Sequence, residues 1–279
     1  MALDQIAEAY YVRRATHTRA VVAAILALWR AAGPSGFRGE VTQAAGILAA
    51  GQLVAATLAS AYLDAVTADQ GLGPGLRINP RRIAGTTGDD LPLTDVLTAP
   101  TRRTWALMDS GADYASASLS GEATLTRIVA NEVTQAATDA VTVGMVGNQD
   151  VTGFVRVLHT PSCGRCAVIA GRWYAVNDGF DRHPGCDCVH VPAAERATVA
   201  PLQTSADAYF RSLSDREANR RFGAEVADKI RAGADVTKTV NNAQRGTHRY
   251  RTAAERWAAA KSRDTAVADL IRTGYLAAA

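Results

Sequence analysis

The first 68 residues carry two stretches of apolar positions with the spacing of α-helices. In residues 3–32 these positions fall on one helical face: Leu3, Ile6, Tyr10, Val21, Ile25 and Leu28. The run Gly33-Pro34-Ser35-Gly36 would end this helix, because Gly and Pro together interrupt helical backbone. Residues 41–63 form a second apolar stretch that contains no charged side chain. We therefore predict a helical hairpin over residues 1–68, packed closely through small side chains.

The second stretch is long enough to cross a bilayer, since a helix rises about 1.5 Å per residue. Polar side chains such as Gln43, Gln52 and Thr57 interrupt it, and its many alanines contribute little to membrane insertion. A buried helix whose small residues admit close neighbours explains the same composition. We therefore expect no membrane partner.

The middle of the chain changes character twice. Residues 69–100 are rich in Gly and Pro, which predicts a long loop or linker. Helical patterns resume at about 101–114 and 120–143. Residues 153–159 alternate between apolar and polar positions, which predicts a strand, and residues 188–192 are its expected partner.

After residue 201 the pattern is helical again. Ser214 and Glu217 have the spacing of a capping box, which predicts a helix start at that point. The buried edge of this region is marked by apolar residues four positions apart: Phe222, Val226 and Ile230.

These patterns predict a mainly α fold, in which a helical N-terminal hairpin and a helical C-terminal region surround a small β and zinc-binding Cys/His module. Four segments follow: the hairpin (1–68), a linker or extended loop (69–100), helices plus the Cys/His module (101–200) and the C-terminal helical region (201–279). The composition agrees, because the chain is 48% hydrophobic but only 6% aromatic, which favours helices packed through small residues.

Charge is unevenly distributed along the chain. The net charge is only +3, yet residues 201–279 contain 14 Lys and Arg against 9 Asp and Glu. This basic end could contact nucleic acid or an acidic partner. Residues 245–251 interleave basic, aromatic and glycine residues, as nucleic-acid contacts often do, although a solvent-exposed loop is the simpler explanation.

All four cysteines of the chain lie between residues 159 and 192. They form a C-x-x-C motif and, sixteen residues after it, an H-x-x-C-x-C motif, which together offer five soft ligands: Cys163, Cys166, His183, Cys186 and Cys188. Two half-sites on turns, separated by a short spacer, are typical of structural zinc sites. The alternatives are two disulfides or reduced thiols without a metal. Disulfides are disfavoured, because the N-terminus has no pattern of a secretory signal.

A catalytic zinc is not indicated. The chain contains neither an H-x-E nor an H-E-x-x-H motif, and the only carboxylates beside the cysteines are Asp181 and Asp187. Thiolates would fill the coordination sphere and leave no open position. We therefore predict a structural zinc ion, held by four of the five ligands, and no enzyme activity.

The order of these motifs resembles a known family. C-x-x-C is followed by G-x-x-Y (Gly171 to Tyr174) and by G-F-x-R-H-P-x-C-x-C (Gly179 to Cys188), with V-x-V-P after it. This order is similar to that of the phage Mu F-like minor head proteins of tailed bacteriophages. Residues 213–246 are similar to the segment that follows this module in actinobacteriophage members. The resemblance covers roughly residues 100 to 250, and the H-P-x-C-x-C core is its specific part.

The resemblance implies a structural minor capsid protein that acts in head morphogenesis. It implies association with the portal protein or the major capsid protein, and a place in the virion after assembly in the cytoplasm of the bacterial host. Contact with packaged DNA through the basic C-terminal region and contact with copies of itself are further expectations. The alternative function is a nucleic-acid-binding zinc module that acts on packaged DNA.

Overall fold

The computed structural model describes residues 2–159, 162–176, 186, 188–243, 260 and 262–277. The helices are α1 (Leu3–Asp69), α2 (Pro80–Ile83), α3 (Leu93–Leu97), α4 (Ala99–Asp109), α5 (Tyr114–Val146), α6 (Gly164–Ile169), α7 (Arg196–Val199), α8 (Ala206–Ser212), α9 (Asp215–Phe222), α10 (Ala224–Arg231), α11 (Val236–Ala243) and α12 (Arg263–Arg272). The strands are β1 (Gly153–Val157), β2 (Trp173–Ala175) and β3 (Val189–Ala193). The predicted mainly α fold with a small β and cysteine module is confirmed.

Helix α1 folds back on itself at Gly33 and forms the predicted hairpin. Gly33 has φ 66° and ψ 170°, a conformation that glycine adopts at little cost, and Pro34 then opens the second arm. The two arms are held together along their length. The rings of Tyr10 and Tyr62 stack with centroids 4.2 Å apart, and those of Trp29 and Phe37 meet edge-on near the turn.

Helix α5 packs along the hairpin and completes two apolar cores. The core near the turn combines side chains of both arms with those of α5: Ile25, Trp29, Phe37, Leu48, Leu125 and Val129. The core at the open end adds the sheet: Tyr62, Val66, Val141, Phe154, Val155 and Val191. A Cβ atom added at Gly144 would lie 2.4 Å from Cδ1 of Leu63, so this glycine allows the close approach of α5 and α1.

Within α1, the apolar residues 41–63 are explained by this packing. By length and composition alone α1 could cross a membrane, and 39% of its most apolar 18-residue window is buried inside the protein. The buried positions recur at helical spacing along the second arm: Val41, Ala44, Leu48, Gly51, Ala55, Ala59 and Tyr62. The absence of a membrane partner stays a prediction.

The segment from 69 to 100 contains more structure than its Gly and Pro content indicated. It includes α2 and α3, and Leu93 and Leu97 of α3 are buried in the core near the turn. The amide of Gln52 in α1 holds the loop between these helices. Its Nε2 donates to the carbonyl oxygen of Thr86 (2.8 Å), and its Oε1 accepts from the backbone N–H of Gly85 (2.9 Å). The segment therefore lies against the hairpin, while the division into four segments stays a prediction.

The three strands form one antiparallel sheet in the order β2-β1-β3. The predicted pairing of residues 153–159 with 188–192 is confirmed, with Val155 opposite Val191. Strand β2 pairs with the other edge of β1 and was not predicted, because three residues are too short for a visible alternation. Trp173 of this strand covers Gly153, where an added Cβ would lie 2.3 Å from the indole ring.

Short helices α8 to α11 pack together and against Val168 and Ile169 of α6, the helix that contains Cys166. Ser214 caps α9 as predicted, since its hydroxyl accepts the N–H of Glu217 (3.4 Å). We expected Phe222, Val226 and Ile230 to mark the buried edge of one helix, and the assignment to one helix is wrong. Gly223, with φ 87°, ends α9 and starts α10, so Phe222 belongs to a different helix from the other two.

Helix α12 returns to the end of α5. The guanidinium of Arg263 donates hydrogen bonds to carbonyl oxygens at and beyond the last turn of α5: Met145 (2.7 Å), Val146 (3.1 Å), Asn148, Gln149 (3.4 Å) and Val151 (2.9 Å). The carbonyl oxygens of Met145 and Asn148 also accept backbone N–H groups, from Asn148 (3.4 Å) and Val151 (3.2 Å). Arg263 adds charged donors to this helix end and acts as a C-cap supplied from another helix. The basic segment 245–251 lies outside the described residues.

Candidate metal centre

Each cysteine is placed by a short turn beside the sheet. Cys163 is the N-cap of α6, and its Sγ accepts the backbone N–H of Cys166 at 3.4 Å, which holds the Cys163 side chain at the start of the helix. Cys186 and Cys188 come directly before β3. Because β3 pairs with β1, these two cysteines face the residues at the end of β1.

Three of the four sulfurs converge. Cys166, Cys186 and Cys188 are buried, and their Sγ atoms all lie within 4.8 Å of one another. The Sγ of Cys186 is 3.7 Å from that of Cys166 and 3.3 Å from that of Cys188. All four cysteines of the chain are free, so the disulfide alternative does not describe this structure.

These distances fit a tetrahedral thiolate site. With a zinc–sulfur bond of about 2.3 Å, two ligands of a tetrahedral ion lie about 3.8 Å apart. The Cys166–Cys186 separation of 3.7 Å meets this value. The Cys186–Cys188 pair would have to separate by about 0.5 Å, which a small side-chain rotation supplies. Soft sulfur donors select zinc or another thiophilic ion over magnesium or calcium.

A buried arginine faces the sulfurs. Arg156 of β1 is 1% exposed. Its Nε donates to Sγ of Cys188 (3.3 Å), and its Nη2 donates to Sγ of Cys186 (3.1 Å) and of Cys188 (2.9 Å). The sulfurs of Cys186 and Cys188 therefore lie against a buried cation.

The pKa values reflect this crowding. Burial lowers the pKa of Arg156, but the charges of Cys188, Cys186 and Cys166 outweigh burial and leave it above its ordinary value. Hydrogen bonds with Cys163, Cys186 and Cys188, together with burial, raise the pKa of Cys166 well above its ordinary value. The hydrogen bond with Cys166 lowers the pKa of Cys188, but that with Cys186 and burial outweigh it and leave this pKa raised. A metal ion would have to displace protons from these thiols, so its binding should weaken as pH falls.

The remaining candidates of the five take different places. Cys163 is half-buried, packs against the three-sulfur group and lies outside it. His183 lies outside the described residues, as do Asp181 and Asp187. The structure thus brings three of the five predicted ligands together. The choice of the fourth ligand, Cys163 or His183, stays open.

Two other histidines of this region serve in packing. His159 stacks on Tyr11 with ring centroids 4.1 Å apart, and its Nδ1 lies 2.6 Å from the carboxylate of Glu8. The pKa of His159 is lowered, because burial disfavours its charged form more than Glu8 favours it. The ring of His190 packs against Phe154. Neither histidine belongs to the three-sulfur group.

The module is anchored to helices on both sides. Toward α1, Arg14 donates to the carbonyl oxygen of Cys188 (3.4 Å) and Tyr62 donates to that of His190 (2.8 Å). Toward α8, the hydroxyl of Tyr209 accepts the N–H of Ser162 (2.8 Å) and donates to its carbonyl oxygen (2.6 Å). The cysteines therefore lie at the junction of the N-terminal hairpin and the C-terminal helices.

Sequence reasoning did not identify Arg156 or the contacts of α1. A signal for Arg156 was present, because it stands among the apolar residues of the predicted strand and an arginine buried with them requires an acceptor. Among the described residues, no carboxylate belongs to the sulfur group, so the arrangement offers ligands and no general base.

Comparisons with models of protein families, with curated proteins and with solved structures gave no significant match.

Proposed function

We propose that this chain is a structural minor capsid protein of a tailed bacteriophage, acting in head morphogenesis, and that its cysteine module is a structural zinc centre. The observation that carries the zinc centre is the convergence of three buried sulfurs at the junction of two helical regions. A metal at this place would tie α6 to the start of β3, and through them the hairpin to the C-terminal helices.

The donor set supports a structural ion over a catalytic one. Catalytic zinc sites keep one position open for water, beside a group that moves protons. Here the three converging sulfurs are buried, and the charged group that the described residues place against them is Arg156, which stays protonated and cannot serve as a base. The proposal therefore includes no enzyme activity.

The capsid function is supported by the motif order. The run from Cys163 to Pro192 and the segment 213–246 resemble Mu F-like minor head proteins. On this proposal the protein resides in the phage head, is assembled in the host cytoplasm and contacts the portal or the major capsid protein. Contact with packaged DNA through residues 201–279 and with copies of itself belongs to the same proposal.

The zinc centre is tested by thermal unfolding with and without a strong chelator. The wild-type protein should lose stability in the chelator, because structural zinc contributes folding free energy directly. Cys166→Ser should be less stable from the start and insensitive to the chelator. Arg272→Ala, on the exposed face of α12, is the matched control and should behave as wild type. Equal melting of wild type with and without chelator contradicts a structural metal.

The capsid function is tested in particles. Heads purified from a phage that encodes this chain are probed for the protein, and portal complexes are isolated through a tag on the portal. The proposal expects the protein in mature heads and in the portal complexes, and reduced incorporation of Cys186→Ser. Absence of the wild-type protein from mature heads would remove the capsid function and leave the metal centre standing.

A further inference from the structure

Arg156 is an unusual residue to find in the interior of this protein. Its side chain is 1% exposed and is among the largest fully buried side chains of the described residues. A buried guanidinium is costly unless an opposite charge and hydrogen-bond acceptors surround it. Among the described residues, the acceptors that face it include the sulfurs of Cys186 and Cys188, reached by three N–H···S contacts of 2.9 to 3.3 Å.

Neutral thiols can accept hydrogen bonds from Arg156 but carry no negative charge, whereas metal-bound thiolates offer both the acceptors and the charge. A divalent ion with three thiolates carries a net charge of about −1, and with four thiolates about −2. Arg156 would neutralise the first set and halve the charge of the second. The guanidinium also supplies donors to sulfur lone pairs that a metal leaves unused, as groups around metal ligands commonly do.

We infer that Arg156 is the built-in counter-charge of a thiolate metal centre and holds Cys186 and Cys188 in place as ligands. The inference rests on the proposed metal centre and adds a residue that controls how tightly the ion is held. Arg156 is a positioning residue, since it acts on the metal through the two sulfurs. The chemistry it favours is an anionic site for a thiophilic divalent ion.

A purely structural role for Arg156 makes a different prediction. If Arg156 only filled space beside the sheet, its replacement would lower stability without altering the electronic properties of the metal site. Arg14 provides the comparison, because it is buried beside the same module and donates to the backbone carbonyl oxygen of Cys188 at 3.4 Å. Removal of Arg14 should weaken the packing of α1 on the module and leave the sulfur donors unchanged.

The test uses full-length wild type, Arg156→Met, Arg156→Lys and Arg14→Met, each loaded with Co²⁺ in place of the native ion. Two quantities are measured: the rate at which the ion passes to a chromogenic chelator, and the energy of the sulfur-to-cobalt charge-transfer band. Arg156→Met should release the ion about 10- to 100-fold faster, the range typical when groups around metal ligands are removed. Its charge-transfer band should move to lower energy, because sulfurs freed from N–H donors are stronger electron donors.

Arg156→Lys retains the charge but offers a single ammonium group in place of the planar fork. It should release the ion at an intermediate rate, with a smaller shift of the band in the same direction. Arg14→Met should keep the wild-type band. If Arg156→Met does not fold, Arg156→Lys decides the question, and a wild-type rate together with a wild-type band in that variant overturns the inference.

The two proposals fail in distinguishable ways. A wild-type protein that takes up no Co²⁺ and shows no charge-transfer band overturns the metal centre, and with it the role of Arg156. A wild-type protein that holds the ion, beside an Arg156→Met variant with the same rate and band, overturns the role of Arg156 alone. A band shift in Arg14→Met equal to that in Arg156→Met also overturns it, because the effect would then be unspecific.

Discussion

Two glycines in the second arm of α1 should respond to alanine with opposite signs. Gly46 and Gly51 are both helical, and replacing either by Ala gains about 1 kcal/mol of helix propensity. An added Cβ at Gly46 meets nothing within 4 Å. At Gly51 it would lie 2.7 Å from Cγ2 and 3.0 Å from Cγ1 of Val21 on the facing arm, closer than van der Waals contact permits.

The magnitude follows from these contacts. Gly46→Ala should stabilise the protein by about 0.5–1 kcal/mol, since only the backbone term changes. Gly51→Ala adds an overpacking cost of about 1–3 kcal/mol, because Val21 is fixed in the interface between the arms. The net effect is a loss of up to about 2 kcal/mol. The two variants should therefore differ by about 1–3 kcal/mol.

Urea unfolding followed by circular dichroism measures both changes. The double variant Gly51→Ala with Val21→Ala should be less destabilised than the sum of its two single variants, because the shortened side chain at position 21 makes room for the new methyl group. Equal shifts for Gly46→Ala and Gly51→Ala would refute the close packing of the two arms. An additive effect of the two changes in the double variant would refute the assignment of the cost to Val21.

Three further outcomes are expected. Arg263→Ala should lower the free energy of unfolding by about 2–3 kcal/mol, because several carbonyls at the end of α5 lose a charged donor. In the same urea titration, the surface variant Arg272→Ala should lower it by less than about 0.5 kcal/mol. Ser214→Ala should cost about 1 kcal/mol through loss of the N-cap, and a smaller change than 0.3 kcal/mol, on the order of experimental error, would contradict the cap. Burial lowers the pKa of His159 in the folded protein, so its contribution to stability is complete above the ordinary pKa of 6.5 and is lost as pH falls below that value. The stability difference between wild type and His159→Gln should therefore shrink on acidification. A constant difference between pH 7 and pH 5, measured by thermal unfolding at about 0.5-unit steps, would contradict this.

Local patterns in the sequence predicted the elements whose signals are local. The hairpin follows from helical spacing on both sides of Gly33-Pro34, and the β1–β3 pair from alternation in Gly153–Val157 and Val189–Ala193. The start of α9 at Ser214 follows from its capping box. Each of these signals is read from neighbouring residues, because periodicity is informative in windows of at most about 18 residues.

Features that depend on distant residues were not predicted. Arg14 lies 174 positions before the carbonyl it contacts at Cys188, and no local pattern connects the two. The break at Gly223 was missed because Phe222, Val226 and Ile230 keep helical spacing across it, so the apolar pattern concealed a change of helix. The cysteine spacing predicted a shared site, and the structure brings together Cys166, Cys186 and Cys188 of the five candidates.

The central claim is a metal ion held by the cysteines, and its most direct test is the metal content of the full-length protein. The protein is purified from cells without chelator and analysed for zinc and other transition metals against protein concentration. We expect one zinc ion per chain in wild type and its loss in Cys186→Ser, because removal of one of three converging thiolates leaves too few ligands. Wild-type protein without metal, together with unchanged stability of Cys186→Ser, would contradict it.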